Sequence, residues 1–244
     1  MPKIVPNISV DCVIFGFDFN QLNVLLVERK LVDEKSNEIL IDDWTLTGYH
    51  IFEDEDFDTA AARILKKLSG LDNIYLEQFY AFGRTNRIDS AKDRLWLQNQ
   101  HEGFSERIVT VGYFSLIDNT TVTLSLKERN VKWFPINDLP ELGFDHKEIL
   151  EKALERLRIK LRSEPIGFGL LPEKFTISQL QKLYESVLGT QFDRRNFRKK
   201  VLQMKYVIPL DEKQQAVKHK PAQLFIFSRD VYEKTKIDRF DFSI

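Results

Sequence analysis

The sequence predicts a mixed α/β domain followed by a small basic domain of two helices and a hairpin. Three observations carry this reading. Short β-rich runs alternate with two amphipathic helical stretches as far as Arg162. A break follows at Pro165, Gly167 and Gly169. Beyond it the charge changes sign: residues 165–244 carry 15 Lys+Arg against 9 Asp+Glu, net +6, whereas the preceding 164 carry 21 against 28, net −7. The domains are therefore placed at 1–164 and 165–244. An acidic body with a basic C-terminal domain points to a polyanion as partner of the latter.

The bulk numbers narrow the class. A chain of 244 residues can build two modest domains, and 43% hydrophobic with 30% charged residues is an ordinary globular balance. No apolar run approaches the ~20 residues that cross a bilayer. The start MPKIVPNISVDCVIFGFD lacks the basic region, apolar core and cleavage site of a signal peptide. One cysteine, Cys12, excludes an internal disulfide and lies in an apolar strand, where packing outweighs reactivity. The cytoplasm is the expected compartment, with no membrane partner.

Ser9–Phe17 and Val24–Arg29 are β-rich runs around the turn-prone Asp18–Asn20. Leu31–Asp43 is polar and reads as a loop before Trp44–Thr47. A helix follows from near Thr59, then Ile74–Arg84 alternates as a strand or two. Arg87–Glu106 reads as a long polar connection around Leu95, Trp96 and Leu97, and a loop of that length is often functional. Ile108–Ile117 and Val131–Phe134 are strands, and Pro135–Pro140 breaks the pattern. In the helix expected from Asp145 to Arg162, Ile149, Leu150, Ala153, Leu154, Leu157 and Leu161 repeat at helical spacing.

The C-terminal domain opens on Thr176–Gln179, a capping-box pattern. Ile177, Leu180, Leu183, Tyr184, Val187 and Leu188 form an apolar stripe, and Gly189 suits the stop. Asp193 is a fitting N-cap for a second helix, Arg194–Met204, whose Phe197, Val201 and Met204 share a buried face. Arg195 and Lys199 lie opposite, Asn196 and Arg198 on the shoulders, Arg194 and Lys200 at the margins. Tyr206–Leu210 and Gln223–Ser228 are strands around the polar turn Asp211–Lys220, which carries Lys213, Lys218 and Lys220. Helix, tight turn, basic helix and basic hairpin in that order fit a winged helix-turn-helix better than a merely solvated charged surface. The tail Arg229–Ile244 carries no signal of its own.

The segment with the most chemistry in it is residues 48–71, GYHIFEDEDFDTAAARILKKLSGL. Positions 64, 67 and 68 share one helix face. Carboxylates there would share Mg²⁺, a hard cation that takes oxygen ligands. Ile64 and Leu68 offer no ligand atom, and Lys67 is a cation that repels a metal. Ile64, Leu65, Leu68 and Leu71 read as a packing stripe. The acidic run Glu53, Asp54, Glu55, Asp56 and Asp58 reads as helix capping and dipole compensation rather than a metal site.

The same segment resembles a Nudix box: glycine, five residues, glutamate, seven residues, Arg-Glu, an aliphatic, any residue, Glu-Glu, any residue, glycine, an aliphatic. Glu55, Arg63, Leu65, Gly70 and Leu71 fall in register. Tyr49 stands at the first glycine, and Ile64, Lys67 and Leu68 at the three metal-binding glutamates. Together with SVDCVIFGFD, NVLLVERK, WTLTGY and RIVTVGYFSLI, this resembles the Nudix-related transcriptional regulators more than catalytic Nudix enzymes. The resemblance spans about residues 7–160, and 165–228 for the winged part. It implies a Nudix-like α/β/α sandwich followed by a winged helix-turn-helix, in a family with many bacterial repressors of NAD or sugar-catabolic genes.

The expected function is a DNA-binding regulator, a repressor, whose catalytically inactive Nudix-like domain binds a small metabolite, with no catalytic residues, no metal and no cofactor. Arg195, Asn196, Arg198 and Lys199 are expected in the major groove, where Arg reads guanine and Asn adenine. Arg194, Lys200, Lys213, Lys218 and Lys220 are expected on phosphates. One recognition helix rarely suffices, so a homodimer on a near-palindromic operator is expected. The resemblance places the effector beside the box, with Glu28, Arg29, Tyr49, His50, Arg84 and Trp96 as contacts. It offers an ADP-ribose-like nucleotide or a pentose, and Tyr49 in place of a small glycine leans toward the neutral sugar. Two rivals stand beside this: a Nudix hydrolase using the Glu53–Asp58 carboxylates with a nucleic-acid tether, and an RNA-binding or protein-docking module.

Overall fold

The computed structural model describes residues 2–100, 105, 107–122, 124, 130–215 and 220–235. It divides into two compact units, one of residues 1–16 and 23–154, the other of 17–22 and 155–244. In the first, a seven-stranded sheet runs in the order β3 (Ile39–Thr45), β2 (Leu22–Val32), β1 (Ile4–Phe17), β6 (Val109–Asp118), β5 (Glu77–Phe82). Off that path β4 (Thr47–Phe52) pairs with β1, and β7 (Val131–Pro135) with β2. β1 is buried on both faces from Val10 to Phe17, which explains its continuous apolar run.

Helix α1 (Phe57–Ser69) begins two residues before the expected Thr59. Asp56 is its N-cap, accepting the Thr59 N–H, and the acidic first turn suits the dipole. Gly70 ends it with φ 76°, a left-handed conformation that costs glycine nothing, and its N–H bonds to Lys66 O. The apolar face of α1, with Ala60, Ala61, Ile64, Leu65 and Leu68, packs with Val10, Cys12, Ile14, Leu25 and Val27 into one core. Burial also pushes the Cys12 thiol well up, so it is inert packing material.

Two stretches differ from the sequence reading. Leu31–Asp43 is no loop: β2 continues to Val32, β3 starts at Ile39, and a tight turn joins them. Asp33 makes that turn by accepting the N–H groups of Lys35 and Ser36. The exposed, polar alternation of an edge strand hid it. Arg87–Glu106 contains a helix, α2 (Ala91–Gln100). Its apolar residues cluster at Leu95–Leu97 instead of repeating around a helix, so periodicity missed it. What anchors α2 is polar: Ser90 accepts the Lys92 and Asp93 N–H groups, and Asp93 is buried against Arg29.

Helix α3 (His146–Ser163) holds the expected span, with Leu157 and Leu161 fully buried. In the second unit a 3-10 turn at Ile166–Leu170 precedes α4 (Ile177–Leu188) and α5 (Arg194–Gln203). The strands β8 (Val207–Lys213) and β9 (Gln223–Phe227) pair antiparallel. A short helix α6 (Arg229–Thr235) stands where no element was expected. No helix among the described residues is long and apolar enough to cross a membrane.

Candidate functional site

The first unit contains a cleft of about 100 Å³. Ser9 and Asp11 of β1, Thr45, Leu46, Gly48, Tyr49 and His50 around the β3–β4 junction, and Trp96, Leu97 and Gln100 of α2 form its walls. Arg87 and Phe144 close it from the connections before α2 and α3, and His146 from the first position of α3. At its floor is a buried polar network. Arg87 donates Nε and Nη2 to Asp145 at 2.6 and 2.7 Å, and its Nη2 lies 3.7 Å from Asp11. His146 Nδ1 accepts the Leu46 N–H at 2.9 Å, which leaves the ring proton on Nε2, facing Asp11 at 3.5 Å. Burial alone would raise the Asp11 carboxyl, but His146 and Arg87 hold it below the usual carboxylate range. Gly48 is needed here: a Cβ on it would sit 1.9 Å from Asp11 Oδ1.

Tyr49, His50 and Trp96 line this cleft; Glu28, Arg29 and Arg84 do not. Arg29 is buried with a single job. It is bidentate to Asp43 at 2.6 and 2.7 Å, gives Nη1 to Asp93 at 2.6 Å, and lies under the rings of Phe144 and Trp96. It therefore pins α2, the cleft wall, onto β2 and β3. Arg84 is exposed and pairs with Glu148 at 3.1 Å, and Glu28 is a half-buried β2 residue opposite Trp44. Sequence reasoning missed Asp11, Arg87 and His146. Asp11 had a signal: one carboxylate inside an otherwise apolar run. Arg87 and His146 had none, because only tertiary folding brings them to it.

The box survives as a scaffold. Arg63 binds both Glu55 oxygens, donates to His50 O at 3.0 Å and lies 3.9 Å from the Phe52 ring centroid, while Glu55 accepts the Phe52 N–H. Of the acidic run, Asp56 caps α1, Asp58 accepts from Tyr113 and Glu53 pairs with Lys3. Ile64 is fully buried and Leu68 nearly so, so positions 64, 67 and 68 do not fit a divalent metal. No group of three or more His, Cys, Asp or Glu among the described residues is placed to hold one.

The second unit presents a different surface. Thr176 and Gln179 form the reciprocal capping box of α4, and Glu185 accepts both the Gln181 side chain and the Phe192 N–H, which locks the turn into α5. Asp193 caps α5 by accepting the Asn196 N–H, and Phe197 and Val201, both fully buried, seat it. Met204 is the half-buried C-cap. Arg194, Arg195, Asn196, Arg198 and Lys199 are exposed, and Lys200 half-exposed. None of these cations is in an ion pair among the described residues. Lys213 is exposed at the end of β8, which runs further than expected, and Lys220 is exposed before β9. Lys218 and residues 236–244 lie outside the described residues.

A sandwich-type domain with a cleft but no metal-ligand set among the described residues, joined to a basic helix-turn-helix with a hairpin, defines an effector-responsive DNA-binding regulator. Comparison with known proteins gives the particular group. Residues 5–153 match the NUDIX domain, and residues 167–227 the NrtR DNA-binding winged helix domain. The ADPR responsive transcriptional repressor NtrR of Acinetobacter baylyi is 30% identical over 233 residues, covering 93% of this chain and 84% of its own. The crystal structure of Shewanella oneidensis NrtR complexed with a 27mer DNA is 29% identical, with a TM-score of 0.63 over 93% of this chain and 95% of that one. The structure of that NrtR alone gives 0.64 over 92% and 95%, again at 29% identity. The chain belongs to the Nudix-related transcriptional regulators of the NrtR type.

Proposed function

We propose that this chain is a repressor that holds operator DNA through α5 and the β8–β9 hairpin, and releases it when its Nudix-like cleft binds ADP-ribose or a similar nucleotide sugar. The observation that carries the DNA half is the outer face of α5. Arg194, Arg195, Arg198 and Lys199 are exposed and in no ion pair among the described residues, while Phe197 and Val201 fix the helix from beneath. Arg195, Asn196, Arg198 and Lys199 read bases; Arg194, Lys200, Lys213, Lys218 and Lys220 meet phosphates. Two copies bind a near-palindromic site, in the cytoplasm where the DNA is.

The effector half draws on the NtrR relative, which is ADPR-responsive. That takes the place of the pentose suggested by Tyr49. The small residue the cleft needs is supplied one position earlier, by Gly48. Tyr49, His50 and Trp96 contact the effector; Arg29 serves by holding α2, and Glu28 and Arg84 stand outside the lining. The chain is not a hydrolase, since apolar and cationic residues fill the metal-ligand positions and Glu53, Glu55, Asp56 and Asp58 are engaged elsewhere.

The test is fluorescence anisotropy on genomic operator fragments, with product analysis of the same mixtures. Nanomolar binding that ADP-ribose reverses, with the ligand recovered intact, is expected. Turnover of ADP-ribose with Mg²⁺, or equal affinity for every duplex, refutes the reading.

A further inference from the structure

The cleft assigned above to a nucleotide diphosphate is poor in available positive charge. Arg87, a cation of its lining, is spent on Asp145 at 2.6 and 2.7 Å and has Asp11 at 3.7 Å. Asp11 itself adds a carboxylate to the lining. Arg63, nearby on α1, gives its donors to Glu55 and His50 O. A diphosphate entering this cleft would lose its hydration and meet as much negative as positive charge, which is costly without a further cation. A divalent metal cannot be held by Ile64, Lys67 and Leu68.

Lys67 supplies the charge instead. It is exposed and in no ion pair among the described residues. Its Nζ stands 5.5 Å from the ring centroid of Tyr49, and Tyr49 is a wall of the cleft. Two of the four departures from the box pattern thus meet in space: the tyrosine at the glycine position steers the lysine at a glutamate position. The geometry points to Lys67 as the phosphate-binding cation for the effector, a fixed charge standing where a metal-binding carboxylate would be, so that a diphosphate binds without Mg²⁺. A lysine is a compact charge on a flexible stem, able to leave the Tyr49 ring for a phosphate oxygen. It neutralises the diphosphate without carrying a water to activate, so capture is uncoupled from hydrolysis. This rests on reading the effector as a nucleotide diphosphate.

Calorimetry of the full chain with ADP-ribose, in EDTA and in Mg²⁺, tests it. Wild-type affinity should be the same in both buffers. Lys67→Gln should weaken it roughly tenfold or more, the loss of one charge-assisted bond, and Lys67→Arg should regain most of it. Arg94 is the rival cation, since its Nη1 donates to the carbonyl of Ile88 in the cleft lining at 3.2 Å. Unchanged affinity in Lys67→Gln, a requirement for Mg²⁺ in the wild type, or a loss confined to Arg94→Gln overturns the role of Lys67 alone. A wild type that binds no ADP-ribose in either buffer overturns the effector reading beneath it.

Discussion

The two units use the same residue type in opposite ways. In the Nudix-like unit three arginines are turned inward: Arg29 to Asp43 and Asp93, Arg63 to Glu55, Arg87 to Asp145 and Asp11. In the winged unit Arg194, Arg195 and Arg198 point outward from a helix held by apolar contacts, in no ion pair among the described residues. The first arrangement builds a shape, because a buried guanidinium fixes several chain segments at once. The second leaves a field, because charge that is not neutralised at home remains for a polyanion. A regulator needs both: a rigid cleft to measure a metabolite, and uncommitted cations for DNA.

The sharpest way to break this comparison is to remove one inward arginine. Arg29→Ala leaves Asp93 buried without its cation and Asp43 with Lys92 alone, at 2.8 Å, which should cost about 3–5 kcal/mol of stability. Urea denaturation of the full chain should show the loss in the Nudix-like unit, with the winged unit unchanged. A small shift would mean that the network relaxes into water.

The same network has a pH signature. Burial raises the Asp43 carboxyl, but hydrogen bonds from Arg29 and Lys92 more than offset this and hold it below its ordinary value. A carboxyl depressed in the folded state contributes stability above its unfolded pKa of about 3.9, and that contribution fades as pH falls through the lower folded value. Unfolding measured from pH 6 down to pH 2 should show an acid limb that is flatter in Asp43→Asn.

On the outward side, Arg195→Ala should weaken operator binding by about 1–3 kcal/mol if it pairs a base, and relax the preference at one operator position. Its melting temperature should stay at the wild-type value, because the side chain is exposed and in no ion pair among the described residues. Gel shift on single-base operator variants separates that from a phosphate contact, which would weaken all sequences alike.

The smallest effect should come from the cap. Thr176→Ala removes one half of the α4 capping box and should cost ~1 kcal/mol, read as a lower midpoint of the winged unit alone. Coupled melting of both units would sink the view that each is stabilised by its own interactions.

Much of the winged unit was legible because its signals are local. The capping box at Thr176, the stop at Gly189, the N-cap at Asp193 and the Phe197–Val201 spacing each involve residues a turn or less apart. The same holds for Asp56 and Gly70 at the ends of α1, and for the absence of ligand atoms at positions 64, 67 and 68. The cleft was not legible in this way. Asp11, Arg87 and His146 are separated by 76 and 59 positions, and no periodicity links them. α2 was hidden for a related reason: what fixes it is Asp93 against Arg29, a partner 64 residues away.

By itself the sequence determined where most helices start and stop, which faces are apolar, and that the C-terminal domain carries an excess of positive charge. These are settled by 3.6-residue spacing and by the chemistry of single side chains. Only the tertiary structure decided which arginines are consumed and which cleft residues converge. A buried ion pair is chosen by proximity across the fold, and residues distant along the chain become neighbours only when the sheet brings them together.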